Sequence, residues 1–232
     1  MKQYYLFFIW IAAAACFGNP IKKKPTTDTV FLLKEPGHSV FIDPSKNSEF
    51  YNYISDFNFG KFDGDSYSRS LDYLKEKKIT LTPNRITGIP QKWILVYYYK
   101  NNFYAYHPSD FYNHFKVSIT DTAFVDVSGE GPCANKVLAW KKIDEHTFSF
   151  SLTGLEYPER QLLIHLIDLQ KGIAVFEELI NKKEKRFLLM VDAGKLRQLP
   201  IIVNYCDSSK QMEFDFEVPD YQEWILRGKA SK

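Results

Sequence analysis

The chain has 232 residues, 45% of them hydrophobic and 25% charged, enough apolar side chain to bury one sizeable core without demanding a second domain. Its formal net charge of +2 supplies no global field to attract a polyanion, which argues against a nucleic-acid partner. Aromatic residues reach 16%, with 19 Phe and 15 Tyr, a composition that tilts the class toward strands, where flat side chains suit a pleated surface.

Lys2 precedes an uncharged apolar run from Tyr4 to Ala15, about a dozen residues where a permanent membrane span takes about 20. Residues 1–15 therefore read as a signal peptide, with Ala13 and Ala15 giving the small-x-small pattern before a cut at Cys16. Ala13, Ala14, Ala15 and Cys16 resemble the lipobox of bacterial lipoproteins, whose cysteine is diacylated before the signal is removed. Ala13 departs from the large aliphatic residue usual in that family and is similar to the looser pattern of Bacteroidota. The resemblance ends at Cys16. It implies lipidation of Cys16, attachment to a membrane through acyl chains, and a place in the bacterial cell envelope facing the periplasm or the surface.

Residues 16–28 then form a tether, with Pro20, Pro25 and the run Lys22, Lys23, Lys24. The lysines are solvated or lie near anionic headgroups. A single β-rich domain is expected over residues 29–226, followed by a tail at 227–232.

Within that domain, residues 30–33 and 39–42 suggest a first strand pair. Phe50, Tyr53, Ile54 and Phe57 recur at helical spacing, and a second helix is signalled by Asp65 or Ser66 as cap and by Tyr67, Leu71 and Leu74 on one face. From Trp93 onward the period becomes two. Phe115, Val117 and Ile119, then Phe148, Phe150 and Leu152, then Met212, Phe214, Phe216 and Val218 alternate with polar residues as strands with one wet face. Residues 93–99, 162–169, 187–191 and 201–203 are near-continuous apolar runs, which predicts strands covered on both sides. Turn residues such as Asn101, Gly129, Gly154 and Gly172 separate them.

This pattern predicts a mainly β fold: an antiparallel meander forming a barrel or a strongly curved sheet or sandwich, with two short helices near the N-terminal side covering an opening. No helical crossovers separate the strands, so parallel pairing is not expected. With Cys16 taken by lipid, Cys133 and Cys206 are the right number for one disulfide in an oxidising compartment; two separate buried thiols are the alternative.

Familiar catalytic and cofactor strings are absent, and no cofactor or metal is expected. Asp56, Asn58, Asp63 and Asp65 form an acidic cluster, but Lys61 stands where an EF-hand loop needs glycine. His107, Asp110 and His114 are the densest titratable set near aromatics, and Glu156 with Glu159 is a carboxylate pair in a turn. His165, inside an apolar strand, reads as a hydrogen-bonded core histidine. The hairpin WILVYYYKNNFYAY is the most distinctive composition. If one face is open, Tyr97, Tyr98, Tyr104 and Tyr106 offer a ligand platform; if both are covered, they are core. The expected function is a lipid-anchored envelope protein with a non-catalytic domain that binds a small ligand or an envelope protein. A glycan-directed hydrolase using Glu156/Glu159 or His107/Asp110, and a structural subunit of an envelope complex, are the alternatives.

Overall fold

A computed structural model describes residues 29–207 and 210–230; the expected signal peptide, Cys16 and the expected tether lie outside them. In chain order the strands are β1 (Val30–Glu35), β2 (His38–Asp43), β3 (Lys92–Leu95), β4 (Tyr97–Tyr99), β5 (Asn102–His107), β6 (Lys116–Ile119), β7 (Ala123–Ser128), β8 (Gly131–Lys142), β9 (Thr147–Gly154), β10 (Arg160–Asp168), β11 (Ile173–Ile180), β12 (Glu184–Asp192) and β13 (Ile201–Cys206). The helices are α1 (Phe50–Ser55), α2 (Lys61–Glu76) and α3 (Tyr221–Ala230).

The expected meander is present as a closed eight-stranded barrel. Strands β3 and β6 to β12 follow one another around it, every neighbour antiparallel, and β12 closes onto β3 through Met190, Val191 and Asp192. Alternation along each strand turns one set of side chains inward, and here they are large. Trp93, Phe124, Phe148, Phe150 and Phe176 are fully buried and pack in one cluster with Leu162, Ile164 and Met190. Each such ring stabilises the fold by roughly 1.5–3 kcal/mol relative to its exposed state, so this part of the lumen is a core.

Further along the lumen the inward positions become polar. Arg160, 0% exposed, pairs through Nη1 with Asp126 at 2.9 Å and Glu178 at 3.4 Å, while Arg186 donates through Nε to Glu178 at 2.7 Å. Asn135 donates to Asp126 at 2.9 Å, and the Arg160 guanidinium lies over the rings of Phe124 and Tyr157. Burial pushes the Asp126 carboxyl up, and Arg160 opposes that shift.

The strand that begins as β3 leaves the barrel at Val96. Leu95 N–H still donates to Phe115 across the barrel wall and Val96 N–H to Leu189; from Tyr97 onward the chain belongs to a second, five-stranded sheet ordered β1, β2, β13, β5, β4. One face of that sheet packs on the outside of the barrel, enclosing Ala105, Ile201 and Val203 with Ile94, Val175 and Leu189; α1 and α3 complete this second core. The other face carries Val40, Tyr104, Tyr106 and Ile202 and is covered by Phe214 and Phe216.

Several sequence expectations are corrected. Strands β13 and β5 run parallel; their crossover is most of the barrel itself instead of a helix. Residues 212–218 form no ladder strand beyond one bridge from Glu217 to Tyr98. They are an extended strap whose Phe214 and Phe216 face inward, leaving Met212 and Val218 exposed. Helix α2 begins four residues before the expected cap, because Asp63 accepts from Gly60 N–H at 2.9 Å. It lies on the outer wall, with Leu74 against Ala123, Val125 and Ala134, and α1 lies beside β5 and β13. Residues 227–230 of the expected tail belong to α3, whose Gly228 sits so close to Ile167 Cα that a side chain would press on it; residues 231–232 lie outside the described residues.

Replacing Arg160 with Leu leaves Asp126 buried without its counter-ion and Glu178 with Arg186 alone. Urea unfolding should show a loss of about 3–5 kcal/mol, and an unchanged midpoint would show that the ion network contributes nothing to stability.

Candidate functional site

Three loops meet beside the barrel: the α1–α2 connection, the β5–β6 loop and the β7–β8 turn. They bound an open cleft of about 430 Å³ walled by Phe57, Phe59, Phe62, Phe111 and Tyr112. Its charged lining is Asp56, Asp63, Asp110, Lys116 and Lys210.

Local chemistry shapes each loop. Asp56 accepts from Asn58 N–H at 2.9 Å, Asp110 accepts from Tyr112 N–H at 3.0 Å, and both are turns that an Asx side chain makes with its own backbone. Asp110 thereby starts the 3-10 turn Phe111–Asn113. Gly129 lies against the backbone of Tyr112, where any Cβ would overlap it. Glycine is what lets the β7–β8 turn and the β5–β6 loop close one side of the cleft.

The rings are held outward. Phe59 is 45% exposed, Phe62 59%, Phe111 40% and Tyr112 59%. Phe59 leans on Tyr67 at 5.3 Å between centroids, and Phe111 stands edge-on to His107 at 5.0 Å and to His114 at 5.9 Å. Tyr112 bonds the Glu130 carboxylate, which raises the phenol pKa. The ammoniums of Lys92 and Lys116 lie 4.9 and 5.2 Å from the Phe57 centroid.

Lys116 donates to the Asp56 carbonyl; burial lowers its pKa while Asp56 and Asp63 raise it. Lys210 pairs with Asp110 at 2.6 Å and holds that carboxyl below its ordinary value. Behind the cleft, His114 Nε2 bonds the Ile54 carbonyl at 2.9 Å, and His107 sits edge-on to Phe50 and Tyr53 as well as Phe111. Burial pulls both imidazoles down to about 4, so they are neutral at ordinary pH.

The sequence-derived candidates are dispersed. Of the tyrosine hairpin, Tyr97 stacks on Phe216 at 4.2 Å, Tyr106 is 4% exposed and donates to Glu213, Tyr104 is 8% exposed, and Tyr98 packs edge-on against Trp224. These four are core against the strap and α3, and none lines the cleft. The disulfide does not form: Cys133 lies on the barrel strand β8, Cys206 ends β13 in the other sheet, and both are free thiols. Burial pushes the Cys133 thiol up to about 11. Cys133 and Glu156 line a smaller cleft of about 220 Å³ with Arg69, while Glu159 is held apart by Lys182 at 2.8 Å. His107 and Asp110 are likewise separated in role, one boxed by rings and the other bound to Lys210. His165 bonds Glu177 at 2.9 Å and is 5% exposed, the hydrogen-bonded histidine expected. Among the described residues, no group of three or more His, Cys, Asp or Glu is placed to hold a metal ion.

Phe59 and Phe62 were missed. Both sit in the segment NFGKFDGD, and an aromatic residue amid turn-forming Asn, Asp and Gly was the available signal, since such a loop offers little core to bury it. No family model matches the chain, and no curated protein or solved structure matches it significantly.

The buried histidines give a pH signature. Their folded pKa values lie below the ordinary 6.5, so their contribution is fully present above pH 6.5 and is lost as pH falls toward 4; each is worth on the order of 3 kcal/mol over that window. His107→Phe keeps an aromatic ring in the box and removes one titration. Urea midpoints at pH 7 and pH 4.5 should lie closer together in the variant than in the wild type; an equal separation would contradict the neutral, buried state of His107.

Proposed function

We propose that this chain is a lipid-anchored binding protein of the bacterial envelope, attached through Cys16, and that its ligand or partner docks in the aromatic cleft. The observation that carries the reading is the set of four rings, Phe59, Phe62, Phe111 and Tyr112, each 40–59% exposed around one cleft. Apolar area left in water forgoes roughly 25 cal/mol per Å² of stabilisation, and exposed apolar side chains gathered in one place mark interaction sites. The cavity volume of about 430 Å³ falls within the range of about 300–1,000 Å³ typical of small-molecule sites.

The anchor is supported by the short leader and the cysteine that follows it. A diacylated cysteine holds a chain on a membrane firmly, where one acyl chain is marginal. The tether then lets the domain stand away from the bilayer.

Two measurements test the reading. Cys16→Ala should move the protein out of the membrane fraction or stall it as precursor, and unchanged membrane retention would overturn the anchor. For the cleft, the paired substitution Phe62→Ala with Tyr112→Ala removes two exposed rings and should leave the thermal midpoint nearly unchanged. Envelope components crosslinked to the wild type should be lost from this variant; an identical crosslinked set would move the binding site elsewhere.

A further inference from the structure

We infer that the cleft takes a saccharide, an inference that rests on the cleft being a binding site. Phe59, Phe62, Phe111 and Tyr112 offer ring surface to the cleft, so the ligand presents an apolar face. Between the rings stand three carboxylates, Asp56, Asp63 and Asp110, and two ammoniums, Lys116 and Lys210, so the lining is close to neutral and carries both acceptors and donors.

That mixture disfavours the simpler occupants. A lipid tail would bury Asp56, Asp63 and Lys116 without giving any of them an ionic partner, at a cost of several kcal/mol for each ion. A strongly anionic ligand meets Asp56 and Asp63, which have no ion-pair partner among the described residues, and a cationic one meets Lys116. A pyranose suits both halves of the lining. Its C–H face lies on an aromatic ring, and its hydroxyls donate to carboxylates and accept from ammoniums with the same group.

Open hydrogen-bonding capacity is present where such a ligand would sit. Lys116 spends one of its three N–H groups on the Asp56 carbonyl. Asp56 uses Oδ1 for Asn58 and Asp63 uses Oδ2 for Gly60, leaving Asp56 Oδ2 and Asp63 Oδ1 as acceptors. Asn58 and Ser128 add a neutral amide and a hydroxyl to the same lining. The shape also fits: about 430 Å³, open to solvent on one side, accommodates a short oligosaccharide and lets a longer chain run on past the rim.

The test is a glycan array of neutral, amino and uronic-acid oligosaccharides probed with the detergent-solubilised full chain, followed by calorimetric titration of the strongest hit. A parallel arm uses insoluble peptidoglycan sacculi in a sedimentation assay, which separates a glycan of the cell's own wall from a soluble one. Phosphocholine and oleate are titrated as non-sugar probes. The expected result is binding of neutral or amino sugars that weakens about tenfold, or 1.4 kcal/mol, in Phe62→Ala and again in Tyr112→Ala. Leu226→Ala, on the exposed side of α3, should change nothing. Saccharide binding that ignores the two ring substitutions overturns the cleft as the site. Binding of phosphocholine or oleate that responds to those substitutions, with no sugar retained on either arm, overturns the saccharide inference while keeping the cleft as a binding site. Failure of every glycan and every other probe overturns both.

Discussion

The structure depends on one stretch of backbone belonging to two sheets. Residues 92–99 complete the barrel through Leu95 and then become the edge of the second sheet from Tyr97. A strand that leaves a closed barrel must hand its place to another, and here β6 resumes beside β3 after the β4–β5 hairpin has turned back. The return path is the β5–β6 loop, and it emerges next to the α1–α2 connection and the β7–β8 turn. The cleft is thus a by-product of how the barrel lends a strand to its neighbour, and one of its walls begins at Lys116, where β6 takes up the pairing with β3.

Two kinds of interior support that geometry. The phenylalanine-filled section of the lumen is stabilised without direction, by area removed from water. The polar section is directional, and its Arg160, Asp126 and Glu178 set a unique arrangement only where all of them are present. On the other side of the second sheet the strap is fixed through Glu213, whose carboxylate accepts from Ser109 N–H at 3.2 Å, Asp110 N–H at 2.8 Å and Asn204 at 3.3 Å. Since Ser109 and Asp110 belong to the β5–β6 loop, the same carboxylate that holds the strap also braces one wall of the cleft.

Much of this architecture was legible in the residues. The inward set Phe148, Phe150 and Leu152 and the wet serines between them specified an antiparallel barrel strand, and the uninterrupted run at 187–191 correctly marked a strand covered twice. The strap misled because alternation reports which side chains are buried and is silent on whether a neighbouring backbone is present to pair with. The parallel pair of β5 and β13 was hidden for a different reason: local sequence carries no record of a crossover made from a whole barrel. At the site, the tyrosines drew attention by abundance, yet abundance in a strand is what a two-sided core requires. Phe59 and Phe62 were the better clue, because aromatic rings in Asp- and Gly-rich turns have no packing reason to be there.

The parallel pairing has a consequence for the order in which the molecule assembles. Strand β13 lies between β2 and β5, and it is synthesised after every barrel strand. Until it emerges, two strands made much earlier have bare edges, the geometry that recruits foreign strands. Pairings between residues so distant in sequence are slow to form. Completion of the second sheet therefore waits for the last strand to be made, and a chain ending before Ile201 would leave both edges open to strands of other molecules even with its barrel whole.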